Sequence, residues 1–548
     1  MMANVLISFI SGIALSFAFP RANLYPLAWF AVTPLFYLLQ RRGWGMTGLI
    51  GLAFGLGFFG SLLSWIAIFG KLPWVALTVF QSLFIVAFAL SAKLVGGRLG
   101  AWGRLVLLPT LWVGFEWVRS VGLLGFTWGD LGYSQSTALP VIQIASSTGV
   151  WGVSFLVALS NAALASAVSE WTKSRSLKGA YTRLGLVAAI VAAAGGIGAI
   201  ALRAPASESG EWIHVAVVQG NINQDTDQDL EYREKSMRVY REMTLKAASA
   251  GADLIVWPET AVPGSPGRNR FLQSWLSDLS AQAQAFLIVG GRDEDDDGHV
   301  YNSAFLVGPG EGILARYAKV RLVPFGEFVP AREYVPFLQY YRVTPMDLSA
   351  GPRHEVLTGG PCTIGLAICF ESIFPYISRE LTSSGAEMLC VITNDAWFGR
   401  TSAAEQHAAK SVFRAVENRR YLLRGAATGV SSIIDPYGRV LDGSPIFHRA
   451  ILKARVRGMH GETFYTRHGD WFVYTSLGVA GLLAVVAALR GLGLRSSSRR
   501  RTLIAKNGIR SKLQKFRRDV RFLTRLDRAV DSKCYETDSH GQQAKNCC

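Results

Sequence analysis

Three side chains in this 548-residue chain stand where their types suit joint chemistry: Glu259, Lys319 and Cys369. Glu259 follows the apolar run Ala-Asp-Leu-Ile-Val-Trp at 252–257 and Pro258, so a strand delivers its carboxylate to a sheet edge, where sites commonly form. Lys319 lies in Tyr317-Ala318-Lys319-Val320-Arg321-Leu322-Val323-Pro324-Phe325-Gly326-Glu327, flanked by apolar residues, and a desolvated ammonium can hold an oxyanion. Cys369 ends the run Thr-Ile-Gly-Leu-Ala-Ile-Cys and precedes Phe370-Glu371-Ser372, where a strand turns toward a helix and bares a sulfur. A thiol with an ordinary pKa of about 8.5 is mostly protonated at neutral pH. A neighbouring carboxylate that takes its proton makes it a nucleophile, and the acid so formed serves the second half-reaction.

Taken singly, each residue has a plainer explanation. A carboxylate after a strand is ordinarily solvated, a strand-edge lysine blunts aggregation, and a lone cysteine is ordinarily buried and inert. The weight rests on the three together and on the elements that must position them. Between residues 211 and 455 those elements alternate. A β-rich run at 213–220 leads to a helical stretch near 230–250, then the strand at 252–257, a helix near 274–285 and a strand at 285–291. Further strands fall at 301–308, 363–369 and 387–393, with another helix near 403–420. Such alternation predicts a layered α/β domain.

The rest of the chain has a different character. Half of all residues are hydrophobic and only 17% are charged, an unusually apolar balance for a soluble protein of this length. Crossing a bilayer takes roughly 20 apolar residues in a helix that satisfies its own backbone. Eight runs are expected to cross, near 3–19, 24–40, 46–69, 73–92, 105–122, 148–168, 183–202 and 472–494. The first run carries no positive residue ahead of it and is followed directly by more apolar runs, which argues against a cleaved leader.

Basic residues cluster in alternate loops, at Arg41 and Arg42, at Lys93, Arg98 and Arg104, and at Lys173, Arg175, Lys178 and Arg183. Cytoplasmic loops hold the excess of Lys and Arg, so the N-terminus is expected inside and residues 211–455 outside. The same distribution accounts for the net charge of +17 without nucleic acid: residues 211–455 hold 25 basic and 28 acidic side chains, and the tail 495–548 holds 15 against 5. A basic tail beside anionic headgroups is a topology determinant first. Of six cysteines, Cys362, Cys369 and Cys390 fall in the outside segment, an odd number that leaves a free thiol. Neither a metal nor an organic cofactor is implied, since no Cys/His spacing suggests a ligand set.

The order Trp257-Pro258-Glu259-Thr260, then the Lys319 to Glu327 segment, then Cys369-Phe370-Glu371, resembles the nitrilase superfamily. With seven apolar runs before it and one after, the arrangement resembles more narrowly the apolipoprotein N-acyltransferases of bacterial envelopes, over residues 1 to about 495. The resemblance implies an αββα sandwich with Glu259 as general base, Lys319 as support for the tetrahedral intermediate and Cys369 as nucleophile. It further implies that Glu327 and Glu371 orient these groups, and it marks Phe370, Asn394 and Trp397 as supporting or substrate-binding positions.

It divides the chain into membrane helices at 1–205 and 472–494, an extracytoplasmic catalytic domain at 211–455 and a cytoplasmic tail at 495–548. The implied partners are the lipid bilayer, a membrane phospholipid as acyl donor and a diacylglyceryl-apolipoprotein as acceptor, at the bacterial inner membrane. Phe370 stands where the family often has Tyr, and the loop 223–229 lacks a Trp the family often places there, which bears on substrate positioning rather than on the core chemistry. Two rivals remain at this stage: a membrane-tethered amidase, in which water replaces the amine, and a noncatalytic envelope scaffold. Two further expectations concern Arg414 and Glu417, whose spacing suits a structural ion pair, and the aromatic-rich stretch 328–351, which suits a lid over the thiol.

Overall fold

The structure, a computed structural model, describes residues 2–41, 43–203, 210–222, 230–330, 347–492, 512–518 and 520. The loop 223–229 and most of the expected lid lie outside the described residues. So do Cys534, Cys547 and Cys548.

Among the described residues, five helices are long and apolar enough to cross a membrane: Trp44–Leu62, Lys71–Gly96, Val150–Ser174, Lys178–Ala201 and Trp471–Leu492. The other three expected runs are helical as well, but Met2–Ser16 and Tyr25–Leu38 are shorter, and Ala101–Ser120 carries Arg104, Glu116 and Arg119. Length and composition therefore assign five of the eight. Small residues let these helices approach closely: a Cβ at Gly57 would run into the backbone of Phe9 on the Met2–Ser16 helix.

Among its described residues the α/β part contains twelve strands: β1 Trp212–Gln219, β2 Leu254–Val256, β3 Phe286–Glu294, β4 Val300–Gly308, β5 Gly312–Ala318, β6 Val356–Leu357, β7 Ile364–Ile368, β8 Met388–Thr393, β9 Leu422–Ala426, β10 Ser432–Ile434, β11 Val440–Gly443 and β12 Ala450–Arg457. They form two six-stranded sheets, ordered β12-β1-β2-β3-β4-β5 and β11-β10-β9-β8-β7-β6. The trios β1-β2-β3 and β7-β8-β9 are parallel and the remaining pairings antiparallel. Parallel neighbours need a crossover, and the helices Leu230–Ala248, Arg270–Ala283, Pro375–Ser383 and Ala403–Asn418 supply the four. The second begins four residues ahead of the expected start because Asn269 caps it, its side chain accepting from the Leu272 N–H at 3.2 Å.

Side-chain alternation along the strands sorts the layers. Val215, Val217, Val256 and Ile288 meet Leu366, Ile368, Cys390 and Leu423 between the sheets. Their neighbours Ala216, Val218, Ile255 and Trp257 face out onto the helices Leu230–Ala248 and Arg270–Ala283. On the second sheet Ala367, Leu389, Val391 and Leu422 face the helices Pro375–Ser383 and Ala403–Asn418. This is the αββα sandwich. The core on the second sheet continues past Phe413 and Val416 into the N-terminal helices, through Tyr133, Val150 and Trp151.

Polar contacts reinforce that junction. Arg414 and Glu417 do form an ion pair, Nε to Oε2 at 3.0 Å and fully buried. They also reach across it: Arg414 donates to the Tyr133 hydroxyl at 2.9 Å, and Glu417 accepts from the Val150 N–H at 2.9 Å. Residues from Ala484 onward form a separate unit, whose described residues are the end of the last apolar helix and an exposed helical stretch at 512–518.

Candidate active site

Glu259 is placed by its neighbours in sequence. Trp257 is fully buried, stacks on Tyr240 at 4.9 Å between ring centroids and donates its indole N–H to Thr244 at 3.0 Å, which anchors the chain as it leaves β2. Gly290 on β3 then lets the turn pass, since a Cβ there would overlap the Pro258 carbonyl. The buried carboxylate accepts from the Asn302 amide and from the Asn394 backbone N–H, both at 2.6 Å. Burial pushes its pKa up, the charge on Lys319 opposes this, and Glu327 adds to it.

Lys319 follows β5 directly. Its backbone N–H donates to the Asn302 carbonyl, and its own carbonyl accepts from Gly351, each at 2.8 Å. The ammonium, 1% exposed, donates to Glu327 at 2.8 Å and lies 3.9 Å from Glu259. Burial lowers its pKa, but Glu327, Glu259 and Cys369 outweigh that, and the net shift is upward, so the cation persists. Glu327 is in turn held by the Asn302 amide at 3.1 Å and by the Val323 N–H at 2.8 Å.

Cys369 begins a 3-10 turn after β7 with φ of +52°, a left-handed conformation that is strained for a residue with a side chain. Glu371, wholly buried, secures this turn. Its carboxylate accepts from the Ile368, Val320 and Arg321 N–H groups at 2.8, 2.8 and 3.0 Å, and from the Tyr317 hydroxyl at 2.9 Å. One side chain thus joins the Cys369 turn to the lysine's segment. The thiol's pKa is raised by burial first and by Glu259 next, with Lys319 and a hydrogen bond from Thr393 working against them. Resting thiolate is therefore scarcer than for a free cysteine, and a base must act during attack. The three cysteines of this segment are all free.

The structure brings together Glu259, Lys319, Cys369, Glu327, Glu371 and the Asn394 backbone. It leaves two expected residues outside this polar cluster. Trp397 is 48% exposed, on the short turn Asp395–Phe398, and Phe370 packs edge-on against Phe374 at 5.1 Å.

Sequence reasoning missed Asn302, which bridges Glu259 and Glu327, and Tyr317, which holds Glu371. A lone amide within the apolar strand β4 was the available signal for the first. It also missed a buried network behind Cys369. Asp395 pairs with Arg424 at 3.0 Å and with His407 at 3.0 Å, and the far nitrogen of His407 lies 2.9 Å from the Ser372 hydroxyl and 3.2 Å from the Cys369 carbonyl. Ser372 also donates to that carbonyl at 2.7 Å. An arginine inside the five-residue buried strand β9 was the signal here.

Two sandwiched sheets with a buried carboxylate and lysine and a partly buried cysteine at their strand ends give the layout of a nitrilase-like domain. Residues 214–463 match the carbon-nitrogen hydrolase family, and residues 11–163 match the apolipoprotein N-acyltransferase N-terminal domain. The chain is 36% identical over 500 residues to the apolipoprotein N-acyltransferase of Geobacter metallireducens, covering 89% of this chain and 96% of that one. It is 33% identical over 514 residues to that of Methylococcus capsulatus, covering 89% and 97%. Among solved structures, an amidase from Nesterenkonia sp. is 17% identical, with a TM-score of 0.37 over 49% of this chain and 98% of that one. The chain belongs to the apolipoprotein N-acyltransferase family, the membrane acyltransferases of the nitrilase superfamily.

Proposed function

We propose that the chain transfers a fatty acyl group from a membrane phospholipid, through a thioester on Cys369, to the α-amino group of the diacylglyceryl-cysteine that begins a lipoprotein. The observation that carries this reading is the convergence of Glu259 and Lys319 on one partly buried thiol in a fold joined to apolar helices. Glu259 takes the thiol proton as sulfur attacks the ester carbonyl, and Lys319 faces the developing oxyanion, typically the largest single catalytic contribution. Collapse breaks the ester C–O bond, and Glu259 returns the proton to the departing lysophospholipid. The acceptor amine then attacks the thioester, gives a proton to Glu259, and leaves as the amide while the thiol is regained. This is a ping-pong cycle.

In this reading Glu327 and Glu371 hold the lysine and the thiol in place. Asn394 positions the base through its backbone, and Phe370 and Trp397 offer apolar surface to the acyl chain. Residues 1–205 and 472–494 are the membrane part, 211–455 the catalytic domain on the extracytoplasmic side of the inner membrane, and 495–548 the cytoplasmic tail. Holding donor and acceptor in one plane beside the thiol raises their effective concentration.

The test is to incubate purified protein with phospholipid radiolabelled in its acyl chains and look for label that neutral hydroxylamine releases. Label that disappears in Cys369→Ala and is discharged by a diacylglyceryl peptide supports the transferase. Discharge by water alone favours an amidase-like hydrolase, and no label on the unsubstituted protein sinks acyl transfer through the thiol.

A further inference from the structure

A cavity of about 200 Å³ opens where apolar helices meet the sandwich, lined by Trp117, Trp151, Arg321, Phe374, Tyr376 and Asp470, among others. That is below the roughly 300–1,000 Å³ of pockets that enclose whole drug-sized ligands, so it suits a headgroup rather than an entire lipid. It lies at the end of the Ala101–Ser120 helix and at the starts of Val150–Ser174 and Trp471–Leu492. Tryptophan at such helix ends marks the level of lipid headgroups.

Among the described residues, one cation lines this cavity. The Arg321 guanidinium rests 3.8 Å over the Phe374 ring and donates to the Gly122 carbonyl at 2.7 Å and the Tyr376 hydroxyl at 3.2 Å, both neutral. Its Nε is sealed from solvent, and among the described residues no carboxylate pairs with the guanidinium. Asp470, on the same wall, is committed elsewhere, since its two oxygens accept from the Trp117 and Trp151 indoles at 2.9 Å each. A partly buried arginine charge that meets only neutral acceptors is matched by a phosphate, whose charge the guanidinium can balance. Arg321 is also two residues beyond Lys319, and its own N–H is bound by Glu371, two residues beyond Cys369.

We propose that this cavity seats the phosphodiester of the glycerophospholipid donor, with Arg321 as its counter-charge, so that the ester carbonyl is brought to Cys369. The proposal rests on the acyl-transfer reading above and adds what sets the donor apart from other acyl esters. Arg321 is on this view a specificity residue that binds the donor's leaving half.

The test compares acylation of the full-length protein in detergent micelles by a phospholipid and by the matched diacylglycerol, which has the same esters without phosphate. Arg321→Gln should lower the phospholipid-to-diacylglycerol rate ratio at least tenfold, chiefly through KM, and Arg321→Lys should keep more of it. A ratio within twofold of the unsubstituted protein, whether both rates hold or both fall, overturns the proposal. A second measurement needs no variant: a diether phospholipid, which cannot donate an acyl group, should inhibit acylation at least tenfold better than a diether glycerol. Equal inhibition overturns the phosphate site while leaving acyl transfer standing. Absence of any label from phospholipid would instead remove the reading beneath it.

Discussion

At the scale of single residues, the proposed site combines opposed shifts. Burial raises Glu259 and Cys369 together, while the same burial leaves Lys319 charged because two carboxylates face it. A base held above the ordinary carboxylate range, near 4.3, and beside a reluctant thiol is suited to take a proton in the transition state. Glu259→Gln should therefore slow acylation of Cys369 by about 10²–10⁴-fold, read as the initial rate of hydroxylamine-labile label. Asn302 makes a subtler prediction. Its amide bonds the ionised carboxylate and lowers the Glu259 pKa, so Asn302→Ala should raise that pKa further. Because the base must be ionised to act, the acid limb of the acylation pH profile should move to higher pH. A limb that stays put or moves down would rule out Glu259 as the titrating base.

At the scale of elements, the strained turn at Cys369 is held from behind by side chains on three others. Asp395 follows β8, His407 lies on the helix Ala403–Asn418 and Arg424 on β9, and they meet at Ser372 and the Cys369 carbonyl. Burial raises the Asp395 carboxyl, but Arg424 and His407 more than reverse this and bring it to about 2. Its folded pKa lies below the unfolded value of about 3.9, so the stability it contributes is present above about pH 4 and lost as pH falls toward 2. Asp395→Asn should lower the apparent melting midpoint at pH 6 and shrink the further drop between pH 6 and pH 3. An unchanged acid-side drop would show that other carboxylates control it.

At the scale of the whole molecule, the sandwich and the N-terminal helices share one core, and Trp128 is its best-connected ring. It donates to Gln406 at 2.6 Å, stacks on Phe126 at 5.5 Å, and touches Trp65, Phe398 and His407. Trp128→Ala should cost about 3–5 kcal/mol and speed limited proteolysis at the junction in detergent, since the helix Ala403–Asn418 loses that cover. Unaltered proteolysis would mean the two parts are held together elsewhere. Much of this molecule was legible in the chain itself. Apolar runs, the alternation of strand and helix, and the placement of Glu259 and Cys369 at strand ends depend on neighbours a few residues away, which periodicity and composition report. What only the tertiary structure decided was which distant residues complete the site. Asn302 reaches Glu259 across 43 positions, and Arg424 reaches Asp395 across 29. Trp397, by contrast, is about half exposed although it lies three residues beyond Asn394. Such contacts follow from strand register and from how layers stack, and both arise only when the two sheets bury their shared faces.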